Sequence, residues 1–188
     1  MAQELEIEFK NLLTKDEYEF LLNRLPFPSV GRKQINYYFE TPDYKLRKHG
    51  SALRIREKEG KYQLTLKQPF QDGLLETHDS LTKEEVIDWL NGNPVSKEAT
   101  TKQLKQMDIT VNELQYYGSL TTIRREYKDN GLIYVLDYSS YHDVEDYELE
   151  IEAMDKESGI KALETILSTW EITKKDTPNK IARFFQKL

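Results

Sequence analysis

Alternation of charged and apolar residues is the feature of this sequence that most limits its fold. Near the amino terminus, the stretch ELEIEFK puts charge on every second position, at Glu4, Glu6, Glu8 and Lys10, with apolar residues between. Because successive side chains of a strand point to opposite faces, this stretch predicts a strand with one charged and one apolar face. The stretches ALRIREK, YQLTLK and YELEIE repeat the pattern. Each therefore predicts a strand of the same two-faced kind.

Eight segments in all read as strands, by alternation and by their content of β-branched and aromatic residues. They span residues 4–11, 34–40, 51–59, 61–68, 75–79, 120–128, 132–140 and 147–154. Eight is a number of strands at which a sheet can close on itself. A length of 188 residues suits a domain of ordinary size, so we interpret residues 1–188 as one domain.

Helical signals occupy the intervals between the strands. Thr14-x-x-Glu17 and Thr82-x-x-Glu85 have the capping-box spacing, and each opens an amphipathic segment. A third helix is predicted over residues 158–170 and a fourth from Pro178 with Thr177 as its cap, while residues 91–107 suit a loop plus a helix. Helices outside the sheet would cover its apolar faces. The predicted fold is thus α+β, an eight-stranded antiparallel closed barrel that forms a tunnel with a polar interior.

The charged faces carry one sign over whole rows. Arg54, Arg56 and Lys58 share one face of their strand, and a glutamate row occupies YELEIE. Solvent-exposed strand faces are the simpler interpretation, but such faces usually mix positively and negatively charged residues. Carboxylates suit Mg²⁺ or Mn²⁺, and arginine forks suit phosphate. Acidic and basic rows together therefore predict a site for a metal-bound polyphosphate.

Composition excludes several other classes. The net charge of −6 and the pI of about 5.3 argue against nucleic-acid binding by bulk electrostatics. There is no cysteine, and His49, His78 and His142 lack the spacing of a zinc motif, so we expect these histidines on the surface or in loops. No apolar run approaches a membrane span, which predicts a soluble, cytoplasmic protein without a membrane partner. No Walker A loop is present.

The ordered set of motifs resembles the CYTH superfamily, the triphosphate tunnel metalloenzymes. The first motif, Glu6-x-Glu8-x-Lys10, resembles the ExExK signature, and LRIR, TLK, LETHD, RREY, LD and ELEIE follow at suitable distances. The likeness covers nearly the whole chain and is greatest to the short, single-domain CYTH proteins of Gram-positive bacteria.

This resemblance implies a site and an activity. It implies Mg²⁺ or Mn²⁺ as cofactor, with the acids Glu6, Glu8, Glu76, Asp137, Glu150 and Glu152 as metal ligands. It implies triphosphate binding by Lys10, Arg54, Arg56, Lys67, Arg124 and Lys180, and catalytic roles for Glu148, Glu150 and Lys10. The family commonly has Ser-Lys-Tyr where this chain has Asn179-Lys180-Ile181, and Arg125 is expected to point away from Arg124.

The implied reaction is metal-dependent hydrolysis of a small-molecule triphosphate. Inorganic tripolyphosphate, thiamine triphosphate and nucleotides all remain open as substrates. Three alternatives also stay open: a class IV-type adenylate cyclase that uses the same cradle for ATP, a non-enzymatic module that binds polyphosphate or a phosphorylated ligand, and an α+β interaction domain. The sequence leaves a homodimer open as well.

Overall fold

The structure is a computed structural model that describes residues 3–188. Its strands are β1 Gln3–Leu13, β2 Arg32–Glu40, β3 Ala52–Lys58, β4 Lys61–Phe70, β5 Gly73–Leu81, β6 Gln115–Asp129, β7 Leu132–Tyr141 and β8 Val144–Ala153. Its helices are α1 Lys15–Arg24, α2 Lys45–Lys48, α3 Lys83–Leu90, α4 Glu98–Lys105, α5 Lys156–Thr169 and α6 Lys180–Phe185. One turn of 3₁₀ helix spans Val111–Glu113.

The strands form a closed barrel in the order β1-β5-β4-β3-β2-β6-β7-β8. Neighbouring strands such as β3 and β4, or β7 and β8, pair antiparallel. The predicted closed antiparallel barrel of eight strands is confirmed. Sequence reasoning missed the short helix α2 and the start of β6, which lies at Gln115 rather than at Leu120.

The chain divides into two compact units. The first unit contains the described residues up to Leu5 together with Gln34–Ser119, and the second contains Glu6–Lys33 and Leu120–Leu188. The first unit thus holds most of β2, all of β3 to β5 and helices α2 to α4. The second holds most of β1, helices α1, α5 and α6, and nearly all of the last three strands.

In the first unit, the apolar faces of the strands pack against helices. Leu53 and Ile55 of β3 and Leu64 of β4 are at most 1% exposed, and they share a core with Trp89 of α3 and with α4. Burying each such aliphatic side chain stabilises the fold by about 1.5–3 kcal/mol. We use "polar face" for the side of the strands opposite this apolar core.

The second unit repeats the arrangement. Leu149 and Ile151 of β8 are fully buried and share a core with Leu163 of α5 and with α1. Gly159 of α5 lets the helix lie close against β1, since a Cβ there would lie 2.5 Å from the ring of Phe9. Leucine and isoleucine of YELEIE therefore lie in the core, and its glutamates lie on the polar face.

Both predicted capping boxes are present. The side chain of Thr14 accepts a hydrogen bond from the Glu17 backbone N–H, and that of Thr82 accepts one from Glu85. The carboxylates of Glu17 and Glu85 in turn accept from the cap N–H groups, so two backbone donors are satisfied at the start of each helix.

The predicted starts of the last two helices are wrong. Helix α5 begins at Lys156 because Asp155 caps it, accepting from the Ser158 N–H. Helix α6 begins at Lys180, not at Pro178, because Asn179 caps the Ala182 N–H. Thr177 is not its cap: that hydroxyl accepts a hydrogen bond from the Leu12 N–H of β1.

No helix within residues 3–188 is long and apolar enough to cross a membrane.

Candidate active site

The polar face of the second unit gathers charged side chains from four strands. Across β1 and β8, Glu8 is the Cα partner of Glu152 and Lys10 that of Glu150. Directly paired residues share a face of a sheet. Asp137 of β7 pairs in the same way with Glu148 of β8 and with Arg124 of β6. Register alone therefore brings together most of the predicted site residues of this unit.

Arg124 links three strands through its guanidinium. Its Nε and Nη2 donate to the two oxygens of Asp137, at 3.0 and 2.7 Å, and Nη2 also donates to Glu150 Oε2 at 2.6 Å. Nη1 lies 3.6 Å from Glu152 Oε1. Burial disfavours the charge on Arg124, but Asp137 and Glu150 outweigh burial and raise its pKa further. The guanidinium is therefore a permanent cation among these acids.

Lys180 reaches the same carboxylates from α6. Its Nζ lies 2.5 Å from Glu150 Oε1, 2.9 Å from Asp137 Oδ2 and 3.3 Å from Glu148 Oε1. Burial opposes its charge, but the three carboxylates outweigh burial and raise its pKa. The structure thus brings Lys180 into the cluster although Asn179 and Ile181 depart from the family's usual neighbours.

The buried acids of the cluster are not equivalent. Although burial opposes their ionisation, the cations Arg124 and Lys180 hold the pKa values of Asp137 and Glu150 below their ordinary values. Burial, with the neighbouring charge of Glu150, raises the pKa of Glu148 to about 7. Near neutral pH, Glu150 is therefore a fixed anion, while Glu148 can take up or release a proton.

Glu8 of β1 and Glu152 of β8 lie directly opposite each other in the β1–β8 ladder and form an acidic pair. Like charges in this position repel unless a cation lies near them. Lys10 supplies one such cation, with its Nζ 2.5 Å from Glu8 Oε1, and its pKa is raised because Glu8, Glu150 and Glu148 outweigh the effect of burial. Glu6 is the next residue on this face and is half-buried. Carboxylate oxygens are the donors that a hard divalent cation takes, so this donor set fits such an ion.

The polar face of the first unit combines predicted phosphate-binding cations with one acid. Lys67 Nζ lies 2.5 Å from Glu76 Oε1, and Arg54 Nη2 lies 3.8 Å from the same oxygen. Arg56 donates from Nε to Asn36 Oδ1 at 3.0 Å. The structure therefore brings Glu76 together with Arg54 and Lys67 within this unit.

His78 belongs to this polar face, and its expected place on the surface or in a loop is wrong. It lies in β5, and its side chain is 12% exposed. Thr65 Oγ1 lies 3.0 Å from its Nδ1, and Nε2 lies 3.0 Å from Glu4 and 3.3 Å from Glu76. The signal was present in LETHD, where His78 follows Glu76 at the strand's period of two.

Glu4, Glu76 and His78 also have the spacing of a metal-ligand group, their ligand atoms lying within 4.8 Å of one another. Lys67 Nζ lies 2.5 Å from Glu76 Oε1, just as Lys10 Nζ lies 2.5 Å from Glu8 Oε1, so each candidate metal site has an ammonium beside one of its carboxylates. The Glu8 and Glu152 pair is a second candidate, because the two residues are direct partners across the β1–β8 ladder and therefore share a face of the sheet.

Arg125 and Arg183 both lie outside the predicted set of site residues. Arg125 points away from the charged cluster, as expected, and donates to Tyr18 Oη and to the Ser29 carbonyl. Arg183 of α6 was missed, although it contacts Glu148 and Asp146. Its position three residues after Lys180 puts both side chains on one side of a helix, which is the signal that the sequence offered.

Comparison with known proteins agrees with this geometry. The family model of the CYTH domain matches residues 4–185. The Bacillus subtilis (strain 168) protein named "Putative triphosphatase YjbK" is 44% identical over 187 residues, which cover 99% of this chain and 97% of that protein.

Two solved structures have the same fold. A Bacillus halodurans protein described as a "putative adenylate cyclase" superposes with a TM-score of 0.93 at 40% identity, covering 98% of this chain and 100% of its own. The Hippeastrum protein HpAC1, described as having a dominant triphosphatase activity, has a TM-score of 0.80 at 24% identity over 98% of this chain and 96% of its own. From the family match over residues 4–185 and the relative of 44% identity, this chain belongs to the CYTH family.

Proposed function

We propose that this protein hydrolyses a phosphoric anhydride bond of a small-molecule triphosphate with the help of Mg²⁺ or Mn²⁺, as one catalytic domain over residues 1–188. The observation that carries the proposal is the pairing of Glu8 with Glu152 on the face that also presents Lys10 and Arg124. A module that only binds phosphate has no use for such an acidic pair. The 44% identity to a protein named as a triphosphatase supports the same reaction.

Each residue of the site is given a role within its own unit. In the second unit, we assign cation binding to Glu6, Glu8, Asp137, Glu150 and Glu152, phosphate binding to Lys10, Arg124 and Lys180, and catalytic roles to Glu148, Glu150 and Lys10. In the first unit, phosphate binding is assigned to Arg54, Arg56 and Lys67. Glu76 remains a proposed metal ligand of that unit, beside Lys67 and Arg54.

The chain's own side chains would do most of the chemistry by electrostatic preorganisation. Arg124 and Lys180 are held in place by carboxylates, so they need no reorganisation as charge develops on phosphate oxygens. Glu148, with a pKa of about 7, suits acceptance of a proton from the attacking water. When bound, a divalent cation would neutralise phosphate oxygens and lower the pKa of a bound water.

The test is phosphate release from tripolyphosphate, ATP, thiamine triphosphate and pyrophosphate, each with Mg²⁺, with Mn²⁺ and with chelator. Wild type is compared with Glu8→Gln and Glu152→Gln, which remove one charge each from the acidic pair. We expect metal-dependent release from at least one triphosphate and a loss of about 100-fold in either variant, by analogy with the loss of one preorganised transition-state contact.

Glu164→Gln is the matched control, since Glu164 is an exposed residue of α5 whose carboxylate pairs with Lys174 at the surface. It should keep wild-type activity. Formation of cyclic AMP and pyrophosphate from ATP, in place of phosphate release, would assign the protein to the cyclases. Binding of tripolyphosphate without metal and without turnover would make it a binding module.

A further inference from the structure

Asn11 is a buried polar residue in the apolar row of β1. It continues the row of Leu5, Ile7 and Phe9 at the strand's period of two, and it is fully buried although its side chain is polar. Its side chain donates to the Thr173 carbonyl at 3.1 Å and accepts from the Lys175 N–H at 2.7 Å. Two residues after Lys175, the Thr177 hydroxyl accepts a hydrogen bond from the Leu12 N–H at 2.9 Å. These bonds tie residues 173–177, which we call the strap, to the end of β1.

The strap leads directly into α6, and so it fixes where that helix begins. Asn179 caps the helix, and Lys180 and Arg183 follow at positions that share one side of it. Both cations reach carboxylates of β8. A helix of six residues is too short to be stable alone, so its placement depends on the strap and on these ion pairs.

Arg183 uses each part of its guanidinium. Nε donates to Asp146 Oδ2 at 2.9 Å, Nη1 donates to the Pro178 carbonyl at 2.5 Å, and Nη2 donates to Glu148 Oε2. The Arg183 side chain is 8% exposed and that of Glu148 is 1% exposed. A buried carboxylate with a charge-assisted partner of this kind has little freedom to rotate.

The two oxygens of Glu148 therefore have different partners. Oε2 accepts from Arg183, and Oε1 lies 3.3 Å from Lys180 Nζ, which also lies 2.5 Å from Glu150 Oε1. The guanidinium of Arg183 contacts Asp146, the Pro178 carbonyl and Glu148, so its influence on Glu150 and Asp137 passes through Glu148 and Lys180. Without Arg183, the Glu148 carboxylate could turn and draw Lys180 away from Glu150.

We propose that Arg183 is a positioning residue of the hydrolytic site: by holding Glu148 Oε2, it keeps Glu148 Oε1 beside Lys180 and thereby keeps Lys180 on Glu150. The strap is tied to β1 through Asn11 and Thr177, and it positions α6 so that Arg183 reaches Glu148. The expected effect on kcat rests on the proposed function. The expected effect on the position of Lys180 rests on the contacts of Arg183 alone. Outer partners of this kind typically change activity by about 10–100-fold when removed.

The experiment compares Arg183→Gln and Arg183→Lys with wild type by two readouts. The first is the ¹⁵N signal of the Lys180 ammonium in metal-free protein, assigned by its loss in Lys180→Arg, which is visible when burial and carboxylate partners slow proton exchange. The second is kcat and KM for tripolyphosphate at saturating Mn²⁺. We expect Arg183→Gln to lose the Lys180 signal and to lower kcat about 10–100-fold with little change in KM.

Arg183→Lys keeps a cation beside Glu148 but loses the separate N–H donor to Asp146, so it should recover part of both readouts. Arg125→Gln is the matched control, because Arg125 donates to Tyr18 and Ser29 rather than to carboxylates of the cluster. It should keep the Lys180 signal and kcat. If Arg183→Gln does not fold, Asp146→Asn tests the same link, since Asp146 Oδ2 accepts from Arg183 Nε.

A lower melting temperature with an unchanged Lys180 signal and unchanged kcat would overturn the proposal and leave Arg183 a stabilising residue only. Absence of phosphate release by wild type would instead refute the proposed function. The ammonium signal would then decide the role of Arg183 by itself.

Discussion

Arg124 and Asp137 are joined by two parallel hydrogen bonds across the β6–β7 ladder, Nε to Oδ1 at 3.0 Å and Nη2 to Oδ2 at 2.7 Å. The same Nη2 donates to Glu150 Oε2 at 2.6 Å. Asp137 is fully buried, so its charge depends on this fork and on Lys180. The planar guanidinium thus holds Asp137 through two parallel N–H groups while it also donates to Glu150, and an ammonium group does not reproduce this fork geometry.

Arg124→Lys should accordingly lower kcat for the preferred triphosphate by about 100-fold, although the charge is kept. The physical reason is geometric: the three bonds to Asp137 and Glu150 come from two nitrogens held in one plane, whereas the three N–H groups of lysine radiate from a single nitrogen. Steady-state phosphate release with saturating metal measures the effect.

Arg125→Lys is the control for this substitution, since it changes the next residue of the same strand on the opposite face. Its contacts are the Tyr18 hydroxyl and the Ser29 carbonyl. We expect wild-type kcat from it. Equal kcat for Arg124→Lys and wild type would contradict the role given to the fork.

Asn11→Ala should lower the free energy of unfolding by about 1–3 kcal/mol, because it leaves the Lys175 N–H and the Thr173 carbonyl without a buried partner. Urea unfolding followed by circular dichroism measures the change. Asn23→Ala removes an exposed amide that donates to the Glu19 carbonyl of its own helix, and it should change stability by less than about 0.5 kcal/mol. Similar losses in the two variants would show that the strap is not held by Asn11.

Gly159→Ala should destabilise the protein although alanine favours helices. The gain in helix propensity is about 1 kcal/mol. Against it, the new Cβ would lie 2.5 Å from the Phe9 ring and 3.0 Å from the Ala153 Cβ, and such overpacking costs about 1–3 kcal/mol. Thermal and urea unfolding measure the balance.

A double-mutant cycle tests the cause. In a Phe9→Leu background, the smaller side chain makes room, so Gly159→Ala should cost less than it does in the wild type. The same cost in both backgrounds would place the strain elsewhere.

Strand register explains why so much of the site could be predicted from sequence. Once alternation puts Glu148 and Glu150 on one face of β8, antiparallel pairing leaves little freedom for Lys10 and Asp137, which must face them. The charged row of one strand thereby predicts its neighbours' polar residues. The same alternation placed Leu149 and Ile151 in the core.

The errors lie where tertiary contacts decide between equal local signals. Thr177 and Asn179 are both good cap residues, and the choice falls to Asn179 because the Leu12 N–H engages the Thr177 hydroxyl. The spacing of Arg183 from Lys180 puts both on one side of α6, but the contact of Arg183 with Glu148, 35 residues earlier in the sequence, is set by tertiary structure. His78 is the exception, because its spacing of two from Glu76 in LETHD already indicated the same face of the strand.

Glu148 should make stability depend on pH in a defined window. Burial raises its pKa from 4.5 to about 7, so between these values the folded protein binds a proton that the unfolded chain has released. The free energy of unfolding should therefore fall as pH rises through this window, by up to about 3 kcal/mol from this group. Asp137 and Glu150, with lowered pKa values, contribute stability that is lost at more acid pH, outside the window.

Urea unfolding at intervals between pH 5 and pH 8 tests this for wild type, Glu148→Gln and the surface control Glu164→Gln. The upper end of this range lies about a unit above the raised pKa of Glu148. The glutamine at 148 cannot take up the proton, so its stability should vary less across the range than that of wild type. Glu164→Gln should follow wild type, because Glu164 pairs with Lys174 at the surface. Parallel curves for wild type and Glu148→Gln would mean that Glu148 is ionised throughout this range, and the proton acceptor would then have to be sought among the other carboxylates of the cluster.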